Sequence, residues 1–326
     1  MATVIDSLDE IALPAPGAKQ RGVLRFSNPQ LRDWSWPYIV IRGQEDGPRL
    51  ALISGVHPAE YPSIEANIRL ARELDPATLR GTVVSMPVVD VPAFLPRTPF
   101  VCPIDNKNPN RFFPGDPNGT FTDAMDDAIF RAVIQPSDYL IDLHGGDMVE
   151  ALVPFSISVA SGNDEVDNAA LGLARTFGLP YHIVQRPQGG AIGGTTTHAS
   201  AAAGIPAIIA EAGGVGQLTE AETVILYDGV ENVLRHLGML AGAPQHKPDP
   251  ILIERFTWLS SPAEGMWYSA VSVGDHVAAG QVVGRIGNLY GDPLAEITAP
   301  RSGDVLFLTT SPAMKDGGLL LAIGER

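Results

Sequence analysis

Cysteine is nearly missing from this chain: Cys102 is the single one among 326 residues. One thiol cannot close an intrachain disulfide, which points to a reducing cytoplasm as the expected compartment. It also excludes thiolate-rich zinc sites, so any metal must be held by His, Asp or Glu. Basic residues are scarce as well, with 22 Lys and Arg against 37 Asp and Glu, for a formal net charge of −15. That balance lacks the basic footprint of a nucleic-acid-binding protein and suits an anionic membrane surface poorly. The acidic residues are spread along the chain, so they read as a device for solubility. An anionic substrate must then be held by a local arginine against the overall field. No uninterrupted apolar run approaches the ~18 residues of a membrane span. The first ten residues carry neither the basic start nor the apolar centre of a secretory leader.

What is present is a globular composition, 45% hydrophobic and 18% charged, enough for a sizeable core in one large and one small domain. Gly22–Phe26 and Trp36–Arg42 are β-rich, and 43–47 reads as a turn. The apolar run Leu50-Ala51-Leu52-Ile53 predicts a buried strand. Residues 63–74 place Ile64, Ile68, Ala71 and Leu74 on one helical face, and Gly81–Val89 predicts a second buried strand. Strand, helix, strand in that order implies an α/β layered domain with a right-handed crossover. Residues 90–122 form a long loop rich in Pro, Asn and Gly, a length that is usually functional. Helices are expected over 123–134, 164–177, 195–203 and 219–240, and strands over 139–144 and 205–210. Gly189–Gly194 is glycine-rich, but its spacing is not that of a dinucleotide fingerprint, and it reads as a pocket wall. After a linker at 245–250 the texture changes to short β segments separated by Gly and Pro turns. The expected division is an α/β domain over 1–246 and a small all-β domain over 247–326.

The chain is organised around Ser54-Gly55-Val56-His57-Pro58-Ala59-Glu60-Tyr61-Pro62. Here a histidine and a carboxylate three residues apart stand where a strand gives way to a helix, and both can aim at one point. A catalytic zinc needs three protein ligands and an open position, so a further ligand must come from elsewhere. His144 ends the apolar strand 139–144, and sites in open α/β sheets form at such strand ends. Glu211 ends another apolar strand, where an unpaired carboxylate is costly to bury. His57, Glu60 and His144 therefore make a candidate zinc site, one ion per subunit, with Glu211 as the base that moves the proton of the attacking water. A developing oxyanion and an anionic substrate both call for guanidinium groups, and the long loop offers Arg97 and Arg111. Alternation along the strand puts Asp142 on the face of His144, where a carboxylate can orient a metal-bound imidazole.

These residues resemble the succinylglutamate desuccinylase/aspartoacylase family, built on the zinc carboxypeptidase-like fold. The matching motifs, in order, are Gly55-Val-His57-Pro-Ala-Glu60, Asn110-Arg111-Phe-Phe-Pro-Gly115, Ile141-Asp-Leu-His144-Gly-Gly and Glu211-Ala-Gly-Gly, within about residues 40–245. The resemblance implies a three-layer α/β/α domain with a mixed sheet. It also implies hydrolysis of an N-acyl amino acid to a carboxylate and a free amine. Asn110 and Arg111 are then expected to grip the substrate carboxylate, and Arg97, which precedes that pair, to hold the oxyanion. Asn108-Pro109 replaces the Asp-Leu usual before Asn-Arg. A zinc carboxypeptidase acting on short peptides uses the same four residues, and a non-catalytic binding protein that kept the pocket is a third reading.

The C-terminal segments Val273–Gly284 and Ile297–Gly303 resemble a biotinyl/lipoyl-type β-barrel. Its hairpin, Gly287–Leu294, has no lysine to carry a tethered cofactor. This part is expected to shape the pocket mouth or an oligomer contact, and Tyr290 reads as a loop aromatic. His182, His198, His236, His246 and His276 read as structural or solvent-facing. Cys102, with no base matched to it, is a poor nucleophile.

Overall fold

The computed structural model describes residues 2–5, 11–186, 194–253 and 255–326. Alternation along the strand Glu45–Ser54 explains the whole architecture. Ala51 and Ile53 join Leu140, Met125, Ile129 and Val133 in one buried cluster, while Leu50 and Leu52 join Ile141, Leu70, Phe177 and Leu226 in another. A strand buried on both faces reads as an unbroken apolar run, and that is how 50–53 reads in the sequence. The helices Tyr61–Glu73, Asp164–Phe177 and Glu220–His236 cover one face; Phe121–Ile129 with its π-turn Phe130–Ile134, and Thr196–Ala202, supply the other. The expected three-layer α/β/α order is therefore present. In the expected helical face Ile64, Ala71 and Leu74 are buried, whereas Ile68 is half-buried.

Among the described residues the central sheet has ten strands and is mixed. Its middle is parallel: Arg80–Met86 beside Glu45–Ser54, then Tyr139–His144, then Ala207–Glu211. Register places Ser54 opposite Leu143 and His144 opposite Glu211. The C-terminal ends of three neighbouring parallel strands thus meet on one edge.

Residues 150–159, which local pattern leaves unassigned, form the strands Glu150–Leu152 and Phe155–Val159. Ile251–Ile253, expected among the C-terminal strands, pairs in parallel with Tyr181–Gln185 of the large sheet. Conversely, Glu150–Leu152 pairs with Gly303–Thr309 of a C-terminal sheet. Strand partners at this seam are chosen by tertiary packing, which a period-two pattern does not encode. The rest of the C-terminal part folds into small antiparallel sheets over a core that includes Leu259, Trp267, Val283, Ile286 and Leu321. The glycine-rich stretch expected as a pocket wall lies outside the described residues except for Gly194.

Candidate metal and substrate site

Gly55 makes the first turn possible. Its φ is +61, and a Cβ there would lie 3.0 Å from the Pro87 carbonyl oxygen and from the Val88 Cα; only glycine meets both conditions comfortably. The chain then reaches Glu60, the residue before the helix Tyr61–Glu73, whose early Pro62 loses no intrahelical hydrogen bond. His57 and Glu60 are thereby brought to the edge where His144 and Glu211 already stand.

The geometry is a carboxylate between two imidazoles. Glu60 Oε1 lies 2.9 Å from His57 Nδ1, and Glu60 Oε2 lies 2.9 Å from His144 Nδ1. The two rings are 5.0 Å apart between centroids. The Gly145 N–H also donates to Glu60 Oε2 at 3.0 Å. Each imidazole is held from behind by its other nitrogen. His57 Nε2 donates to Asn108 Oδ1 at 3.0 Å, and His144 Nε2 donates to Asp142 Oδ2 at 2.9 Å. Those acceptors place a proton on Nε2 of each ring, and Nδ1 of each ring faces Glu60, the side on which a metal shared by the three groups would replace the Nδ1 protons. Burial opposes charge on all three groups, but nearby opposite charge outweighs it: Glu60 shifts the His57 imidazole up, Asp142 and then Glu60 shift His144 well up, and Glu60 is pulled down to about 2 by His144 and His57.

Glu211 stands across the strand pair from His144. One of its oxygens, Oε2, is buried without a hydrogen-bond partner. Burial pushes its carboxyl well above the ordinary range; the His144 imidazole opposes this, while Glu60, Asp142 and Glu150 add to it. All four residues line one cavity of about 1550 Å³. Asn110 and Arg111 share that cavity. Asn110 is buried, its Oδ1 accepts the Thr196 N–H at 3.0 Å, and its carboxamide nitrogen is left to donate. Arg111 feels desolvation, which lowers its guanidinium, and the facing Glu211 carboxylate, which opposes the shift.

The chain has known relatives. Residues 46–237 match the family model of the succinylglutamate desuccinylase/aspartoacylase catalytic domain. The chain belongs to that family. It is 31% identical over 294 residues to an N-alpha-acetyl-L-2,4-diaminobutyric acid deacetylase of Halomonas elongata, covering 87% of this chain and 83% of the relative. Among solved structures, a product-bound ectoine utilization protein, EutE (DoeB), of Ruegeria pomeroyi superposes with a TM-score of 0.86 at 26% identity, covering 97% of this chain and 98% of the other. A succinylglutamate desuccinylase/aspartoacylase of Rhodobacter sphaeroides gives 0.84 at 26% identity, with 97% of both chains covered. These similarities extend through the C-terminal sheets, beyond the span of the family model.

The family is one of zinc enzymes by resemblance, and the donor set in this chain fits such an ion. Two imidazole nitrogens and a carboxylate oxygen lie within 4.8 Å of one another, and tetrahedral zinc ligands at bond lengths of ~2 Å stand ~3.3 Å apart. Among the described residues this is the group of His, Cys, Asp and Glu side chains placed to share a metal.

One sequence expectation does not match the geometry. Arg97 is not in the cavity wall. It is exposed, at φ +58, in a left-handed turn where its N–H bonds the Phe94 carbonyl. His198, read as structural or solvent-facing rather than a ligand, lines the cavity but stands outside the metal-ligating group, with its Nδ1 2.5 Å from Thr195 Oγ1. The other readings agree with the geometry. His182 is buried between Ser156 and Ser158, His276 pairs with Asp304, and Tyr290 is 93% exposed and outside the cavity wall. Burial pushes the Cys102 thiol up to about 12, with Asp90 reinforcing the shift, so it stays protonated and inert.

Sequence reasoning passed over Asn108 and Thr196. Asn108 had a signal, since Asn before Pro-Asn favours an Asx turn, and its Oδ1 also accepts the Asn110 N–H at 2.9 Å. Thr196 had none. Its hydroxyl donates to Asp142 Oδ2 at 2.6 Å while its N–H holds Asn110, so one buried residue braces both the His144 support and the expected carboxylate grip.

Proposed function

We propose that the protein is a zinc-dependent hydrolase that cleaves the amide bond of an N-acyl amino acid, releasing a carboxylate and a free amine. The observation that carries this reading is the convergence of His57 Nδ1, Glu60 and His144 Nδ1 beside the unpartnered carboxyl of Glu211. His57, Glu60 and His144 would hold the ion. When bound, zinc supplies Lewis acidity, making hydroxide available near neutral pH and polarising the scissile carbonyl.

The chain's own residues do the rest. Glu211 accepts the proton of the attacking water and delivers it to the nitrogen of the departing amine. Its burial, which raises its proton affinity, suits a group that must both take and return a proton. Asn108 and Asp142 keep the imidazole nitrogens aimed at the metal position. Arg111 and the Asn110 carboxamide receive the substrate carboxylate, Arg111 meeting the local demand that a net charge of −15 creates. The C-terminal sheets contribute Arg255, Phe256, Trp258 and Phe307 to the same cavity, and we assign that part of the chain, 247–326, to its outer wall. This wall narrows the space for the amine side and favours small N-acyl amino acids over peptides.

The test is a screen of zinc-loaded protein against N-acetyl, N-succinyl and N-formyl amino acids alongside dipeptides, with detection of the released amine. Turnover of at least one N-acyl class above the dipeptides is expected. Faster cleavage of dipeptides moves the assignment to a carboxypeptidase, and no turnover with zinc bound leaves a binding protein.

A further inference from the structure

His198 has no task in the reaction just described, yet it lines the same cavity and is tied to Asn110 and Arg111 by short contacts. The turn before it is docked on those two residues. Gly194 exchanges backbone hydrogen bonds with Phe113 at 2.7 and 3.2 Å, and a Cβ on Gly194 would stand 2.9 Å from the Arg111 carbonyl oxygen. Thr196 donates its N–H to Asn110 Oδ1 at 3.0 Å. Thr195 lies between these contacts, and the half-buried His198 ring folds back onto it, with Nδ1 2.5 Å from Thr195 Oγ1. Hydrogen bonding then decides which ring nitrogen carries the proton. Thr195 Oγ1 accepts the His198 N–H at 3.2 Å and lies 3.0 Å from Thr197 Oγ1. Thr197 is buried, and among the described residues Thr195 Oγ1 is the one partner of its hydroxyl, so Thr197 donates. A hydroxyl offers two lone pairs and one proton. Both lone pairs of Thr195 are taken, so its proton goes to Nδ1. Burial and the Arg111 charge both lower the pKa of the ring, which keeps it neutral with its one proton on Nε2. Among the described residues Nε2 has no hydrogen-bond partner.

We propose that His198 is a substrate-binding residue whose Nε2–H donates to the carboxylate of the N-acyl amino acid, as a third donor beside Arg111 and the Asn110 carboxamide, so that the site selects a free carboxylate over a carboxamide. This rests on the hydrolase reading above, which sets the substrate carboxylate at those two residues. A carboxylate accepts at both oxygens and brings no proton of its own, so it can satisfy three donors at once. A carboxamide brings N–H groups that meet the site's donors head-on, and donors left unpaired cost more than a lost contact. A neutral donor also suits a place beside Arg111, because it adds a hydrogen bond without a second positive charge. The ring is not set up as a base: Thr195 occupies Nδ1, and Nε2 already holds the proton.

The experiment compares N-acetyl-L-alanine with N-acetyl-L-alaninamide in the zinc-loaded wild type and in His198→Phe, which keeps a ring and removes the donor. The wild type is expected to favour the acid. His198→Phe should lower kcat/KM for the acid roughly 10- to 100-fold, mainly through KM, and for the amide by no more than about threefold, the contrast expected when one hydrogen bond to a charged group is lost. A purely structural role for the ring would lower both substrates together and leave their ratio unchanged. An unchanged ratio in His198→Phe therefore overturns the proposal, and so does a wild type without preference for the acid. Should His198→Phe fail to fold, a crystal structure of the zinc-loaded wild type with L-alanine decides: Nε2 within ~3.2 Å of a carboxylate oxygen is expected, and a separation beyond about 4 Å overturns the proposal. If neither compound is hydrolysed with zinc bound, the hydrolase reading fails, and calorimetric Kd values for the same pair read the contact instead. A preference for binding the acid that falls in His198→Phe keeps this proposal, and a preference that stays the same removes it.

Discussion

Arg97 and Arg111 sit on one loop, and residue type alone makes them equivalent. Backbone geometry separates them. Both are exposed, but the turn at Arg97 is left-handed and lies outside the cavity wall, while Arg111 ends the short 3-10 turn Pro109–Arg111, lines the cavity and faces Glu211. Arg111→Ala is expected to raise KM roughly 10- to 100-fold through loss of a charged hydrogen bond, with a smaller change in kcat. Arg97→Ala should leave kcat/KM within about threefold, as for an exposed charge. Steady-state kinetics of both variants checks the contrast, and a larger loss in Arg97→Ala than in Arg111→Ala refutes it. At this scale the sequence pointed to the polar side chains that the fold brings together, and to Asp142 behind one of them, but not to the other groups that brace them. His57, Glu60, His144 and Glu211 were legible because polar groups at the ends of apolar strands stand out. Thr196 was not, because its role exists only where its hydroxyl meets Asp142, 54 positions away.

Among the elements, the central strands were the most legible. Glu45–Ser54, Tyr139–His144 and Ala207–Glu211 are buried on both faces, so their apolar runs announce them. The strands Phe155–Val159 and Tyr181–Gln185 carry polar residues inward and read less clearly. Ser156 and Ser158 point at His182 from the neighbouring strand, one contacting Nδ1 at 2.9 Å and the other Nε2 at 3.0 Å. That ring is buried, and burial lowers its pKa from 6.5 to about 4. The unfolded ring therefore takes up a proton first as the pH falls. The stability this group contributes is complete above about pH 6.5 and is lost on descending to about 4, with an upper bound of ~3 kcal/mol. His182→Gln should show a shallower loss of stability than the wild type between those limits. Urea unfolding at pH 7 and pH 4.5 measures it, and parallel losses in the two proteins contradict the assignment.

The whole molecule joins an acidic, cysteine-poor chain to a cavity where charge is placed locally. Two strands cross between the sheets, Ile251–Ile253 into the large one and Glu150–Leu152 into a C-terminal one. The division at 246/247 follows the change of sequence texture, and these crossings, set by packing partners, escaped it. The same seam brings C-terminal side chains into the cavity, so the site belongs to the complete chain rather than to its first part. No helix among the described residues is long and apolar enough to cross a membrane. The central claim is that side chains at two parallel strand ends hold one metal, with a separate carboxyl at a third strand end beside it. Its most direct test is the kcat/KM of Glu211→Ala, with zinc content determined on the same sample. Wild-type metal content with a loss of roughly 10³-fold in kcat/KM is the predicted result. Turnover within about threefold of wild type, with the metal in place, contradicts it.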